Sequence, residues 1–131
     1  MTGSIAATAT PTATRIVEAL REARRRTFAL IASVSDDDLE RVHSPLMSPL
    51  VWDLAHIAAY EDLWLVHRYG ERPLLREDLA AMYDAFETPR AVRGDLPLLD
   101  PAQAREYLEE VRSRTLEIID ERGVGDGVLH E

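Results

Sequence analysis

Apolar residues recur at three- and four-residue steps from Ala13 to Val34: Ile16, Leu20, Ala23, Thr27, Ile31 and Val34, flanked by Val17, Phe28 and Leu30. That period predicts an amphipathic helix with Arg24, Arg25 and Arg26 on its solvated face. Ser35, followed by Asp36, Asp37 and Asp38, predicts a short capped turn toward Leu39. His43-Ser44-Pro45 then breaks the pattern. Ser48-Pro49 predicts a second helix start, since serine caps free amides and proline lacks an N–H that would be unpaired at the first position. This helix should run to about Tyr69 and stop at Gly70. Asp100-Pro101-Ala102-Gln103 predicts a third start, with Gln103 reaching back as in a capping box. Leu108, Val111, Thr115, Ile118 and Ile119 form its buried stripe, which continues to about Glu121. No stretch shows the sustained alternation of a strand, so the fold class is all-α.

A connection from Glu71 to Asp100 contains Pro73, Pro89, Gly94 and Pro97, with room for one short helix near Arg76 to Tyr83. A connection this long in a small domain is more often functional than idle. The tail, GVGDGVLHE, stops as an apolar segment begins. Three long helices leave an apolar groove that a fourth would close, so a fourth helix is expected to start near Gly127. Residues 1 to about 12 are small and polar and read as a disordered lead, leaving 13–131 as one incomplete helical domain.

The length of 131 residues suits a single core. No run of eighteen apolar residues occurs, so no membrane span is expected, and the N-terminus lacks the basic start and apolar stretch of a secretory signal. The net charge of −9 argues against a nucleic-acid partner. Cysteine is absent, which excludes disulfides and thiolate chemistry and fits a cytoplasmic protein. A metal in this chain would have to be held by histidine, carboxylate or water.

Candidate chemistry sits on the second helix. At about 100° per residue, Trp52, His56, Tyr60, Leu63 and His67 share one face. His56 lies there among aromatics, either as a packed core histidine or as a metal ligand. His67 is three turns away, on the order of 16 Å, so the two cannot share one ion. The adjacent pairs Glu61-Asp62 and Glu109-Glu110 read as surface charge. In FETPRAVRGDLPLL, Arg90 and Arg93 could clamp a carboxylate bidentately or remain solvated loop residues.

The segment SPLMSPLVWDLAHIAAYEDLWLVHR resembles the N-terminal DinB-like domain of the ergothioneine-biosynthesis sulfoxide synthases, the EgtB family. The likeness continues upstream through RTFALIASVSDDDLERVHSPL and downstream through LPLLDPAQAREYLEEVRSRTL, from about Ala13 to Ile119. It implies a DinB-like up-down helical bundle. It also implies a mononuclear non-haem Fe(II) held by three histidines, and O₂-dependent joining of hercynine to γ-glutamylcysteine or cysteine. His56 matches the first iron ligand of the family, and Arg90 and Arg93 match arginines that bind the carboxylates of the thiol substrate.

The HxxxH motif carrying the family's other two ligands has no counterpart here, nor has the C-terminal domain related to the formylglycine-generating enzymes. The chain is therefore expected to be inactive alone, without tightly held Fe(II), as the N-terminal part of a larger synthase. The alternative is a non-catalytic DinB-like module that self-associates through its open groove.

Overall fold

The computed structural model describes residues 11–44 and 46–123. Its helices are α1 (Pro11–Ile31), α2 (Asp36–Glu40), α3 (Leu50–Glu61) and α4 (Pro101–Arg122). A π-helical segment, Asp62–Tyr69, continues α3, and short 3-10 turns cover Glu77–Leu79 and Arg90–Asp95. The described residues contain no strand, in keeping with the all-α expectation. The chain divides into two compact units, Val34–Thr115 and Met1–Ser33 with Leu116–Glu131.

In the second of these units, α1 begins at Pro11, two residues before the periodic pattern. Ile16, Val17, Leu20, Thr27, Phe28 and Ile31 are half-buried, whereas Ala23 and Leu30 are exposed. Arg25 and Arg26 pair with Glu22 on the solvated face, as the sequence suggests. The expected lead over residues 1–10 and the expected fourth-helix start near Gly127 lie outside the described residues.

The unit Val34–Thr115 carries the candidate site. Two of its helix starts follow local sequence. The Ser35 hydroxyl accepts the Asp38 N–H at 3.2 Å and opens α2, which buries Leu39. Asp100 and Gln103 form a reciprocal capping box at the start of α4: the Gln103 N–H donates to Asp100 Oδ1 at 2.7 Å and the Asp100 N–H to Gln103 Oε1 at 3.0 Å. The stripe of Leu108, Val111 and Thr115 is buried as the period predicts.

The start of α3 differs from expectation. Pro49, not Ser48, holds the cap position, and no side chain caps the helix there. The Ser48 hydroxyl is buried and instead accepts from Arg93 Nη1 at 2.9 Å. A charged donor makes a stronger hydrogen bond than a backbone amide, so the tertiary partner wins. The end of the helix differs as well. The Gly70 N–H reaches the Leu65 carbonyl, five residues back, at 3.0 Å, so the last turns are wider than an α-helix. Gly70 keeps a right-handed conformation, and the left-handed residue is Glu71, with φ of 54°.

Glu61 and Asp62 are not surface charge. Glu61 is 9% exposed and Asp62 1%. Adjacent helical residues point about 100° apart, so the two carboxylates meet different partners. Glu61 accepts two hydrogen bonds of 2.9 Å from Arg112 in bidentate fashion and one of 2.8 Å from Thr115 Oγ1. Asp62 accepts the N–H groups of Leu75 and Arg76 at 3.0 and 3.1 Å, and the Tyr107 hydroxyl at 2.8 Å. Buried carboxylates persist only when they are paired or hydrogen-bonded, and each of these accepts three bonds. The pair thus ties the end of α3 to α4 and to the start of the long connection. Glu109 and Glu110 are exposed, as expected.

Burial, reinforced by the hydrogen bond and charge of Asp62, pushes the Tyr107 phenol far above its ordinary value of 10.0. Burial also raises Tyr83, against the lowering effect of its bond from the Leu99 amide. Both groups keep their protons in the folded chain after the unfolded chain has lost them. Their contribution is therefore fully present below about pH 10 and is lost as pH rises through the folded-state values, for Tyr107 at up to about 1.4 kcal/mol per pH unit. Urea unfolding at a series of alkaline pH values should show this decline, with a shallower slope in Tyr107→Phe. At neutral pH, Arg112→Ala should cost about 3 kcal/mol in the same assay, because it strands the Glu61 charge. Replacing both partners with apolar residues should recover most of that loss.

Candidate metal and substrate site

Trp52, His56 and Tyr60 stand one turn apart on α3 and form a column of rings. The Trp52 and His56 rings stack with centroids 4.8 Å apart and planes 12° from parallel. The His56 and Tyr60 centroids are 4.4 Å apart, with planes tilted by 53°. The expected shared face therefore holds for these three residues. It does not extend to His67, because the wider π-helical turn beyond Glu61 changes the angular step. His67 is exposed and its Nδ1 meets the Arg72 carbonyl at 2.8 Å.

The His56 imidazole has a defined tautomer. Its Nδ1 lies 2.6 Å from the Tyr83 carbonyl oxygen. A carbonyl only accepts, so Nδ1 carries the proton. In the neutral ring Nε2 is then left with its lone pair available. This is the arrangement of a ligating histidine, which donates its other N–H to a carbonyl or carboxylate. The residue is half-buried.

Arg93 is 5% exposed. Its Nε donates to the Thr88 carbonyl at 2.9 Å, Nη1 to Ser48 Oγ at 2.9 Å and Nη2 to the Ala85 carbonyl at 3.3 Å. The guanidinium carbon lies 3.7 Å from the centre of the Trp52 ring, a close cation–π contact. Three of its five N–H groups are thus engaged within the chain. Arg90, at the start of the same 3-10 turn, is exposed. The two arginines of the loop therefore differ: one is built into the structure and the other is open to solvent.

Sequence reasoning did not single out Asp53. It is half-buried in the first turn of α3, three residues before His56. Burial pushes its carboxyl up, and His56, Arg93 and Arg90 each act to lower it. His56, Arg93 and Arg90 therefore each lie within electrostatic reach of Asp53. Arg93 in turn is lowered by burial and by Arg90, while Asp53 raises it. The structure thus brings His56 and Arg93 together on the Trp52 ring, while Arg90 acts on Asp53 and Arg93 through its charge. The missed signal was the i, i+3 spacing of Asp53 and His56, which places both on one face.

Beside Tyr60 a cleft of about 150 Å³ opens, lined among others by Leu63, Arg76, Tyr83, Asp84 and Tyr107. No group of three histidine, aspartate or glutamate side chains able to hold a metal occurs among the described residues. His56 is therefore at most one ligand of a larger set. No helix is long and apolar enough to cross a membrane among the described residues.

A family model described as the DinB superfamily matches residues 19–125. The chain is also similar to proteins named hercynine oxygenase. It is 49% identical to that of Mycolicibacterium thermoresistibile over 115 residues, covering 86% of this chain and 25% of the relative. It is 46% identical over 107 residues to that of Mycolicibacterium smegmatis, covering 80% and 25%. For that of Mycobacterium tuberculosis the identity is 48% over 102 residues, covering 76% and 24%. The chain thus spans about a quarter of the length of the curated relatives it matches. With its all-α architecture and a family match over most of its length, the chain belongs to the DinB superfamily.

Proposed function

We propose that this chain forms the part of an Fe(II)- and O₂-dependent sulfoxide synthase of ergothioneine biosynthesis that supplies one iron ligand and an anchor for the thiol substrate. The whole enzyme would join hercynine to a cysteine-containing thiol such as γ-glutamylcysteine, and this chain alone would be inactive. The observation that carries the reading is the hydrogen bond from His56 Nδ1–H to the Tyr83 carbonyl, which leaves Nε2 available for a metal. The names and identities of the hercynine oxygenases support it.

In this reading His56 Nε2 holds Fe(II), together with two further ligands from outside the described residues. Bound there, iron would supply a Lewis-acidic, redox-active centre with open positions for O₂ and the substrate sulfur. Arg90, exposed and within electrostatic reach of Asp53, takes a carboxylate of the thiol substrate. Arg93 contributes the N–H groups left over from its three bonds and adds its charge to the same field. Fixing the carboxylates fixes the sulfur, and orientation of that kind lowers the barrier without new chemistry at the arginines.

A second reading rests on the exposed apolar side chains Phe86 (91%) and Leu46 (79%): a non-catalytic helical module that self-associates. Anaerobic Fe(II) titration of the chain extended to the relatives' length separates the two. One iron per chain is expected, lost in His56→Ala and kept in His67→Ala. Iron retained at full stoichiometry in His56→Ala rejects the ligand role, and no binding by the extended chain leaves the associating module as the better account. In turnover by that extended chain, Arg90→Gln should lower kcat/KM for the thiol about 10- to 100-fold, with kcat falling as well as KM rising.

A further inference from the structure

The sequence motif that drew attention to His56 begins at Trp52, and the proposed function gives that indole no task. Trp52 is almost fully buried, yet it makes four specific contacts. Its face stacks on the His56 ring at 4.8 Å. It lies at 3.7 Å from the Arg93 guanidinium. Its edge lies near the Tyr83 ring at 6.0 Å, and its Nε1–H donates to the Met82 carbonyl at 3.0 Å.

The last contact bears on His56. Met82 and Tyr83 are consecutive, and their carbonyls accept from side chains one helical turn apart, Trp52 and His56. Residues 80–83 form a hydrogen-bonded turn, in which the Tyr83 N–H donates to the Leu79 carbonyl at 3.2 Å and the Asp84 N–H to the Ala81 carbonyl at 3.3 Å. The turn orients its own carbonyls, and the indole N–H docks it on α3, which sets the Tyr83 carbonyl against the His56 ring. The stacked indole face also fixes the plane of the imidazole, which leaves it little freedom to turn its other nitrogen toward Tyr83. We propose that Trp52 is a positioning residue for His56, holding the imidazole in the tautomer protonated on Nδ1 with Nε2 presented outward. Its use in metal binding rests on the function proposed above, whereas the tautomer itself does not require a metal.

The experiment is ¹⁵N NMR of the histidine ring nitrogens in the metal-free chain, at a pH where His56 is neutral. In the unmodified chain the form protonated on Nδ1 should exceed the other by about tenfold or more, the discrimination expected from one well-made hydrogen bond. In Trp52→Phe, which keeps a buried ring and loses the N–H, the ratio should fall to less than about threefold. Val111→Ala serves as the control, because Val111 is fully buried on α4, a different helix from Trp52 and His56; it should lower stability and leave the ratio unchanged.

An unchanged ratio in Trp52→Phe, or an equal fall in Val111→Ala, overturns the positioning role. So does a mixed or Nε2-protonated form in the unmodified chain, a result that holds even if Trp52→Phe fails to fold. A locked tautomer in a chain that binds no iron after extension would sink the proposed function and leave the positioning role standing.

Discussion

A segment without helix or strand leaves many backbone carbonyls without a ladder partner, and in this protein side chains reach five of them in one short stretch. Between Ala81 and Thr88, the carbonyls of Ala81, Met82, Tyr83, Ala85 and Thr88 accept from Thr88 Oγ1, Trp52 Nε1, His56 Nδ1, Arg93 Nη2 and Arg93 Nε respectively. An unpaired buried carbonyl would cost about 1–3 kcal/mol, so five such bonds outweigh any local preference of this stretch. The site depends on them, because the segment and the side chains of α3 position one another.

That mutual dependence explains why functional and structural roles are hard to separate at Trp52, His56 and Arg93. His56 stitches the connection to α3 with one ring nitrogen, and the same stitch leaves the other nitrogen available. Arg93 holds Thr88, Ala85 and Ser48 while its charge stays near Asp53 and Arg90. Trp52, His56 and Arg93 are each held in one orientation by bonds within the chain. A second set of bonds does the same at the other end of α3. There Asp62 fixes the start of the connection through Leu75 and Arg76, and Glu61 fixes α4 through Arg112.

The wide turn between Asp62 and Tyr69 belongs to this second set. Such turns recur at functional sites because they re-aim side chains without breaking the helix. Here the change of step coincides with the two buried carboxylates and ends the alignment that would otherwise carry His67 onto the His56 face. A helical wheel drawn at a constant angle holds from Trp52 to Tyr60 and fails after Glu61.

Local sequence determined the helices and two of their caps. The reach of a capping side chain is three residues, so Ser35 and the Asp100–Gln103 pair could be read without knowing the fold. The spacing of Trp52, His56 and Tyr60 was legible for the same reason, as was the identity of His56 and Arg90 as candidates. Only the tertiary structure decided that Ser48 serves Arg93, that Glu61 and Asp62 are interior charges, and which nitrogen of His56 is left available. Their partners lie 13 to 54 residues away along the chain. A polar side chain is buried only where such distant groups meet its hydrogen-bonding capacity, and no window of sequence shows that match.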